Sequence, residues 1–159
     1  MPLVTDNDGR HDFDFLFGTW DLRNRRLSKP LAGSDDWTEF GSTAVCRPLL
    51  GGLANYDEVT IPGQRGGATL RTFDTATREW SLHWVTGEAR LTWPPNVGAF
   101  RGSLGEFFGE DEWQGTTIRV RFTWRVHSPD SARWEQAFSA DGGQTWETNW
   151  TNDLTRTGD

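Results

Sequence analysis

Trp80 and Trp84 stand four residues apart, as do Trp146 and Trp150, and both pairs lie in segments that otherwise read as strand. On a strand, side chains two or four apart point to the same side. Trp124 and Trp134 sit in two further strand-like runs. Several strands therefore aim indoles at one shared interior. A small β-barrel or sandwich with an aromatic core meets that requirement.

The run at 118–126 sets the phase of that interior. Ile118, Val120, Phe122, Trp124 and Val126 share one face; Arg119, Arg121, Thr123 and Arg125 share the other. Five exposed large apolar side chains would cost several kcal/mol, so the apolar face is inside. The same rule turns Trp134, Gln136 and Phe138 inward. It also turns in Trp146, Thr148, Trp150, Asn152 and Leu154, and Trp80, Leu82 and Trp84, with His83 outward. Near the N-terminus Trp20, Leu22 and Asn24 face in.

Helical signal is confined to Arg10 to Phe17, where Phe13, Leu16 and Phe17 fall at i, i+3 and i+4. Asp8 caps this predicted short helix and Gly18 ends it, and it covers one end of the barrel. From Thr19 onward the chain reads as strands and turns. Predicted strands are Thr19 to Leu27, Trp37 to Arg47, Leu53 to Ile61, Ala68 to Phe73 and Glu79 to Thr86. Pro62 to Gly67 is a turn-rich loop, and Asp74 to Thr77 is a tight turn. Pro94 and Pro95 stop any central strand, with short strands near Ala89 to Trp93 and Gly98 to Ser103. Leu104 to Glu110, Thr116 to His127, Ala132 to Ser139 and Thr145 to Thr155 follow. The expected fold is all-β: one antiparallel up-and-down barrel of about ten strands with a short N-terminal helix, spanning 1–159 as a single domain. Closure removes exposed edges.

The charge balance narrows the partners. Net charge is −7, which disfavours nucleic acid, because phosphate neutralisation needs a basic surface. The alternation of arginines with aromatics at 119–125 reads as one polar-out, apolar-in strand. No apolar run approaches the roughly 18 residues of a membrane span. The opening MPLVTDNDGRHD lacks a cationic region followed by an apolar stretch, so no secretory leader is expected. The single cysteine, Cys46, permits no intramolecular disulfide and suits a reducing, cytoplasmic setting. Oligomeric state is open.

The inferred interior is aromatic with a few amides and hydroxyls: Asn24, Gln136, Thr148 and Asn152. Small-molecule pockets have that balance. A packed core with those groups satisfied by backbone or water has it too, and a barrel of this size admits either. The charged group that stands out is Asp57, Glu58 and Arg71. Pairing 53–61 with 68–73 brings Arg71 close to Asp57 or Glu58. Inward, such a pair is costly and points to an anchor or an acid–base group. Outward, it is an ordinary cross-strand salt bridge. His11, His83 and His127 lie in separate segments without zinc-type spacing, so no metal site is expected.

Phe13-Asp14-Phe15-Leu16-Phe17-Gly18-Thr19-Trp20 resembles the F-x-x-L-x-G-x-W opening of lipocalin-like (calycin) and nitrobindin-like small barrels. The resemblance implies a helix leading into strand one, with the Trp packed across the barrel base. Thr69 to Asp74, Trp80-x-x-x-Trp84 and Trp134 to Ser139 are similar to an uncharacterised bacterial family of such barrels, which brings no activity with it. The nitrobindin comparison raises haem, held there by a histidine near the C-terminus. No histidine follows His127 here, so His127 or His83 would have to substitute. Ser139-Ala140-Asp141-Gly142-Gly143-Gln144-Thr145-Trp146 looks like the Asp-box hairpin of sialidases and other propellers. A single copy in so short a chain reads as a structural turn.

Three functions remain open on this reading. The first is a binding barrel that holds a small apolar or aromatic molecule among Trp20, Trp84, Trp124, Trp134 and Trp150, oriented by Gln136 and Thr148. The second is a barrel enzyme of cyclase, isomerase or decarboxylase type, in which Arg71 polarises a carbonyl or carboxylate and Glu58 moves the proton. The third is a structural protein with a filled core.

Overall fold

The computed structural model describes residues 8–159. Residues 1–7, on which the expectation about a secretory leader falls, lie outside the described residues. Ten strands run in chain order: β1 (Gly18–Leu27), β2 (Trp37–Leu49), β3 (Ala54–Ile61), β4 (Gln64–Asp74), β5 (Glu79–Val85), β6 (Asn96–Arg101), β7 (Leu104–Trp113), β8 (Thr116–Ser128), β9 (Ser131–Ser139) and β10 (Glu147–Gly158). Each pairs antiparallel with its sequence neighbour, and β10 returns to pair with β1. The result is a closed meander that leaves no free sheet edge among the described residues.

The alternating pattern drives the closure. In β8 the apolar residues Ile118, Val120 and Trp124 are buried, while Arg125 on the opposite face is exposed. Asp74 sharpens the turn between β4 and β5: its Oδ1 accepts from the Ala76 amide at 2.8 Å and the Thr77 amide at 3.2 Å. The segment 62–67 is more ordered than its composition predicts. Gly63, at φ 76°, allows a two-residue turn, and β4 begins at Gln64 rather than Ala68. The strand predicted at Ala89 to Trp93 reduces to one bridge between Val85 and Leu91. Ala89 adopts φ 62°, which breaks the extended path.

The predicted N-terminal α-helix is not formed. A 3-10 turn of three residues, Asp14–Leu16, takes its place, and the described residues contain no α-helix. Asp8 does not cap it. Its carboxylate instead accepts from Arg10, at 3.0 Å from the amide and 3.1 Å from Nε. The i, i+3 spacing of Phe13 and Leu16 serves another purpose, because both side chains plug the barrel base. Phe13 is fully buried, with its ring edge-on to Trp80 and Phe100, each at 5.0 Å between centroids. Burying such a ring contributes about 1.5–3 kcal/mol. Arg156 fastens the plug: its guanidinium donates to the Phe15 and Phe17 carbonyls and lies 4.4 Å over the Trp20 ring.

Candidate functional site

Above the plug the barrel is hollow. A cavity of about 450 Å³ opens at the end opposite the N-terminal turn, within the range typical of small-molecule sites. Trp20, Trp84, Trp124, Trp134 and Trp150 all line it. Trp134 and Trp150 meet edge-to-face with centroids 5.6 Å apart, and Trp134 also packs on Phe122 at 5.4 Å. Such ring pairs hold one another in place and keep the wall rigid. Trp20 donates its N–H to the Leu16 carbonyl at 2.9 Å. Trp150 donates to Asn24 Oδ1 at 3.0 Å, and Asn24 in turn donates to Ser42 Oγ at 2.8 Å.

The floor carries a buried ion pair. Arg71 on β4 is 2% exposed and Asp57 on β3 is 7% exposed. Arg71 Nη2 donates to Asp57 Oδ2, and Nη1 donates to Asn55 Oδ1 at 2.9 Å. The register explains this fork. Asn55 sits directly opposite Arg71, and Asp57 is the next inward residue on the same strand. The guanidinium also lies 5.1 Å over Phe13 and 5.8 Å from the Trp124 ring centroid. Along the floor and the cavity wall five buried polar atoms have no hydrogen-bond partner: Asn55 Nδ2, Asp57 Oδ1, Arg71 Nε, Trp124 Nε1 and Asn152 Oδ1. Buried polar atoms are rarely left unpaired. Cys46 lines the same floor, with Sγ 4.0 Å from Asn55 Oδ1. Burial pushes its thiol up to about 11, which keeps it protonated and inert at neutral pH.

The mouth is more polar. Arg26 lies 4.3 Å over the Trp150 ring, and burial lowers its pKa from the ordinary arginine value. Arg65, Glu88, Glu110 and Asp111 complete this rim. Beside it Trp93 is 73% exposed and stacks on His83 at 5.6 Å.

Gln136 lines the cavity but donates to Asn149 Oδ1 at 2.8 Å. Thr148 does not line it. A register shift between Thr148 and Trp150 makes Asn149 an extra residue, and Thr148 then pairs with Ala137, out of phase with the inward Gln136. The bulge reverses the alternation that placed Thr148 inside. Trp146 is also outside: its ring lies under the Arg121 guanidinium at 4.6 Å and beside Phe108 at 6.0 Å. Glu58 is exposed. The carboxylate that meets Arg71 is Asp57, because Asp57 shares its face with Val59 and Ile61, and all three line the cavity. None of the three histidines lines it. His83 lies beneath Trp93, and His11 and His127 are exposed. The proposed haem substitutes His83 and His127 are therefore not on its wall.

Two elements of the site were missed in the sequence, Asn55 and Arg26. The signal for Asn55 was present in the phase of β3, set by Val59 and Ile61. Arg26 shares a phase with Trp20, Leu22 and Asn24, but an arginine at a strand end reads equally well as solvated.

Fold and site together define a closed ten-stranded antiparallel barrel with an internal cavity open at one end. No family model matches the chain, and no curated protein does. Among solved structures it is similar to the S-type phycobiliprotein lyase CPES from Guillardia theta, with a TM-score of 0.55 and 13% identity over 99% of each chain. At that identity the likeness shows a shared fold. Among the described residues no helix is long and apolar enough to cross a membrane, and no group of three or more His, Cys, Asp or Glu is placed to hold a metal ion.

Proposed function

We propose that this protein binds one small, largely apolar molecule inside the barrel. The observation that carries the reading is the cavity itself: about 450 Å³, walled by five tryptophans and entered from one end. Rigid aromatic walls and few polar groups suit an aromatic or polyene body. The fold likeness to a phycobiliprotein lyase is consistent with a barrel used at a small-molecule site.

The test is a fluorescence titration with N-phenylnaphthylamine, which is uncharged and brightens in apolar surroundings. Excitation at tryptophan should give saturable energy transfer at one site per chain. Val59→Trp, which fills the wall, should abolish it while the circular dichroism of the barrel persists. Non-saturable binding, or binding unchanged in Val59→Trp, would contradict the proposal.

One observation favours a second reading, a barrel enzyme. Arg71 Nε is an unpartnered donor beside a buried carboxylate, a placement suited to polarising a carbonyl. Asp57 would then take the proton-moving role first assigned to Glu58. A bound molecule recovered after long incubation with both its mass and its NMR spectrum unchanged supports binding. A change in either supports catalysis.

A further inference from the structure

Resting on the reading that the cavity holds a ligand, the geometry of its floor points to the class of polar group that ligand carries. We infer that the deep end selects an uncharged group that both donates and accepts hydrogen bonds, such as a phenolic hydroxyl or an amide, and rejects a carboxylate.

The argument starts from charge. Arg71 is already neutralised by Asp57, and Asn55 takes a second of its donors. The floor therefore has no net charge to offer. What it offers is one unpartnered acceptor, Asp57 Oδ1, and two unpartnered donors, Arg71 Nε and Asn55 Nδ2, on residues that are at most 7% exposed. A ligand carboxylate here would sit beside the Asp57 carboxylate, away from water, and two such charges cannot both persist cheaply. An ammonium would face Arg71 in the same way. A hydroxyl or amide N–H that donates to Asp57 Oδ1 makes a charge-assisted hydrogen bond, and its oxygen is free to accept. The Trp124 N–H and the Asn152 carbonyl, on residues that also line the cavity, add a further unpartnered donor and a further unpartnered acceptor. The aromatic walls accept the rest of the molecule.

Three probes of one shape separate the possibilities: para-phenylphenol, biphenyl and para-phenylbenzoate, titrated at neutral pH into the intact protein and read by tryptophan quenching. The expected order is phenol tightest, by about tenfold or more over both others, as a hydrogen bond to a charged group supplies. Asp57→Asn removes the repelling charge and leaves Arg71 unneutralised, so para-phenylbenzoate should become the tightest of the three. Should that variant fail to fold, the order on the native protein alone decides. Benzoate binding as tightly as the phenol, or biphenyl matching it, would overturn this inference and leave the cavity reading standing. An unchanged order in a folded Asp57→Asn would also overturn it. Saturable binding by none of the three would overturn both.

Discussion

Asp57 and Arg71 lie on adjacent antiparallel strands and meet at the floor of the cavity, with Asn55 accepting the second arm of the guanidinium. Such a pair is held in a low dielectric, where each partner is tolerable only because the other is present. Arg71→Met should therefore cost about 3–5 kcal/mol, since it strands a buried carboxylate. Combining it with Asp57→Leu should recover most of that loss. Urea unfolding of the two single variants and the double variant checks this. Simple additivity of the two losses would show that the pair is not coupled.

Gly67 governs the shape of the cavity. A Cβ placed there would lie 2.3 Å from Cη2 of Trp84 and 3.0 Å from the Val85 carbonyl oxygen. The indole packs flush on the bare backbone of β4. Gly67→Val should displace the Trp84 ring and weaken N-phenylnaphthylamine binding several-fold, with the barrel still closed. Wild-type affinity in that variant would mean that Trp84 forms no part of the binding wall.

The hairpin between β9 and β10 is organised by Asp141. Its Oδ1 accepts from the Gln144 and Thr145 amides at 3.0 and 2.9 Å, and its Oδ2 from the Thr145 hydroxyl at 2.5 Å. The Thr145 hydroxyl, the Thr145 amide and Ser139 are the main causes that lower its pKa from 3.8 to about 2. A depressed folded pKa gives stability that is present above pH 3.8 and is lost as pH falls through 2. The melting temperature of the native protein should therefore drop more steeply across that window than that of Asp141→Asn. Parallel curves would show that the turn bonds do not depend on the charge.

Cys46 has the opposite sign. Burial raises its pKa from 9.0 to about 11, so its contribution is complete below pH 9 and is lost as pH rises through 11. At neutral pH a thiol reagent should leave the native protein unlabelled and label it once on unfolding. Rapid labelling of folded protein would show that the Cys46 thiol is not shielded within the wall. Cys46→Ala should flatten the alkaline part of the stability curve.

Much of this arrangement was legible in the sequence, for a physical reason. The strict alternation of Ile118, Val120, Phe122 and Trp124 sets the inside of β8, and the even spacing within β1, β5 and β9 does the same for Trp20, Trp84 and Trp134. The barrel follows once those faces share one interior. Thr148 escaped because one inserted residue, Asn149, reverses the phase of the strand, and a bulge depends on cross-strand register that no local pattern records. The hairpin pairing of 53–61 with 68–73 leaves Asp57 and Glu58 both within reach of Arg71, and only the phase set by Val59 and Ile61 turns Asp57 in and Glu58 out. The N-terminal turn misled because Phe13 and Leu16 have helical spacing, while the aromatic residues they pack against belong to the barrel base, far away in the chain.

The most direct test of the central claim, that the barrel interior is the ligand site, is a crystal soaked in para-iodophenol with the iodine located by anomalous scattering. The expected result is one strong peak inside the barrel, among Trp124, Trp134 and Trp150. Iodine found only on the outer surface, against the exposed Trp93 and Leu91, with the interior unoccupied, would contradict it.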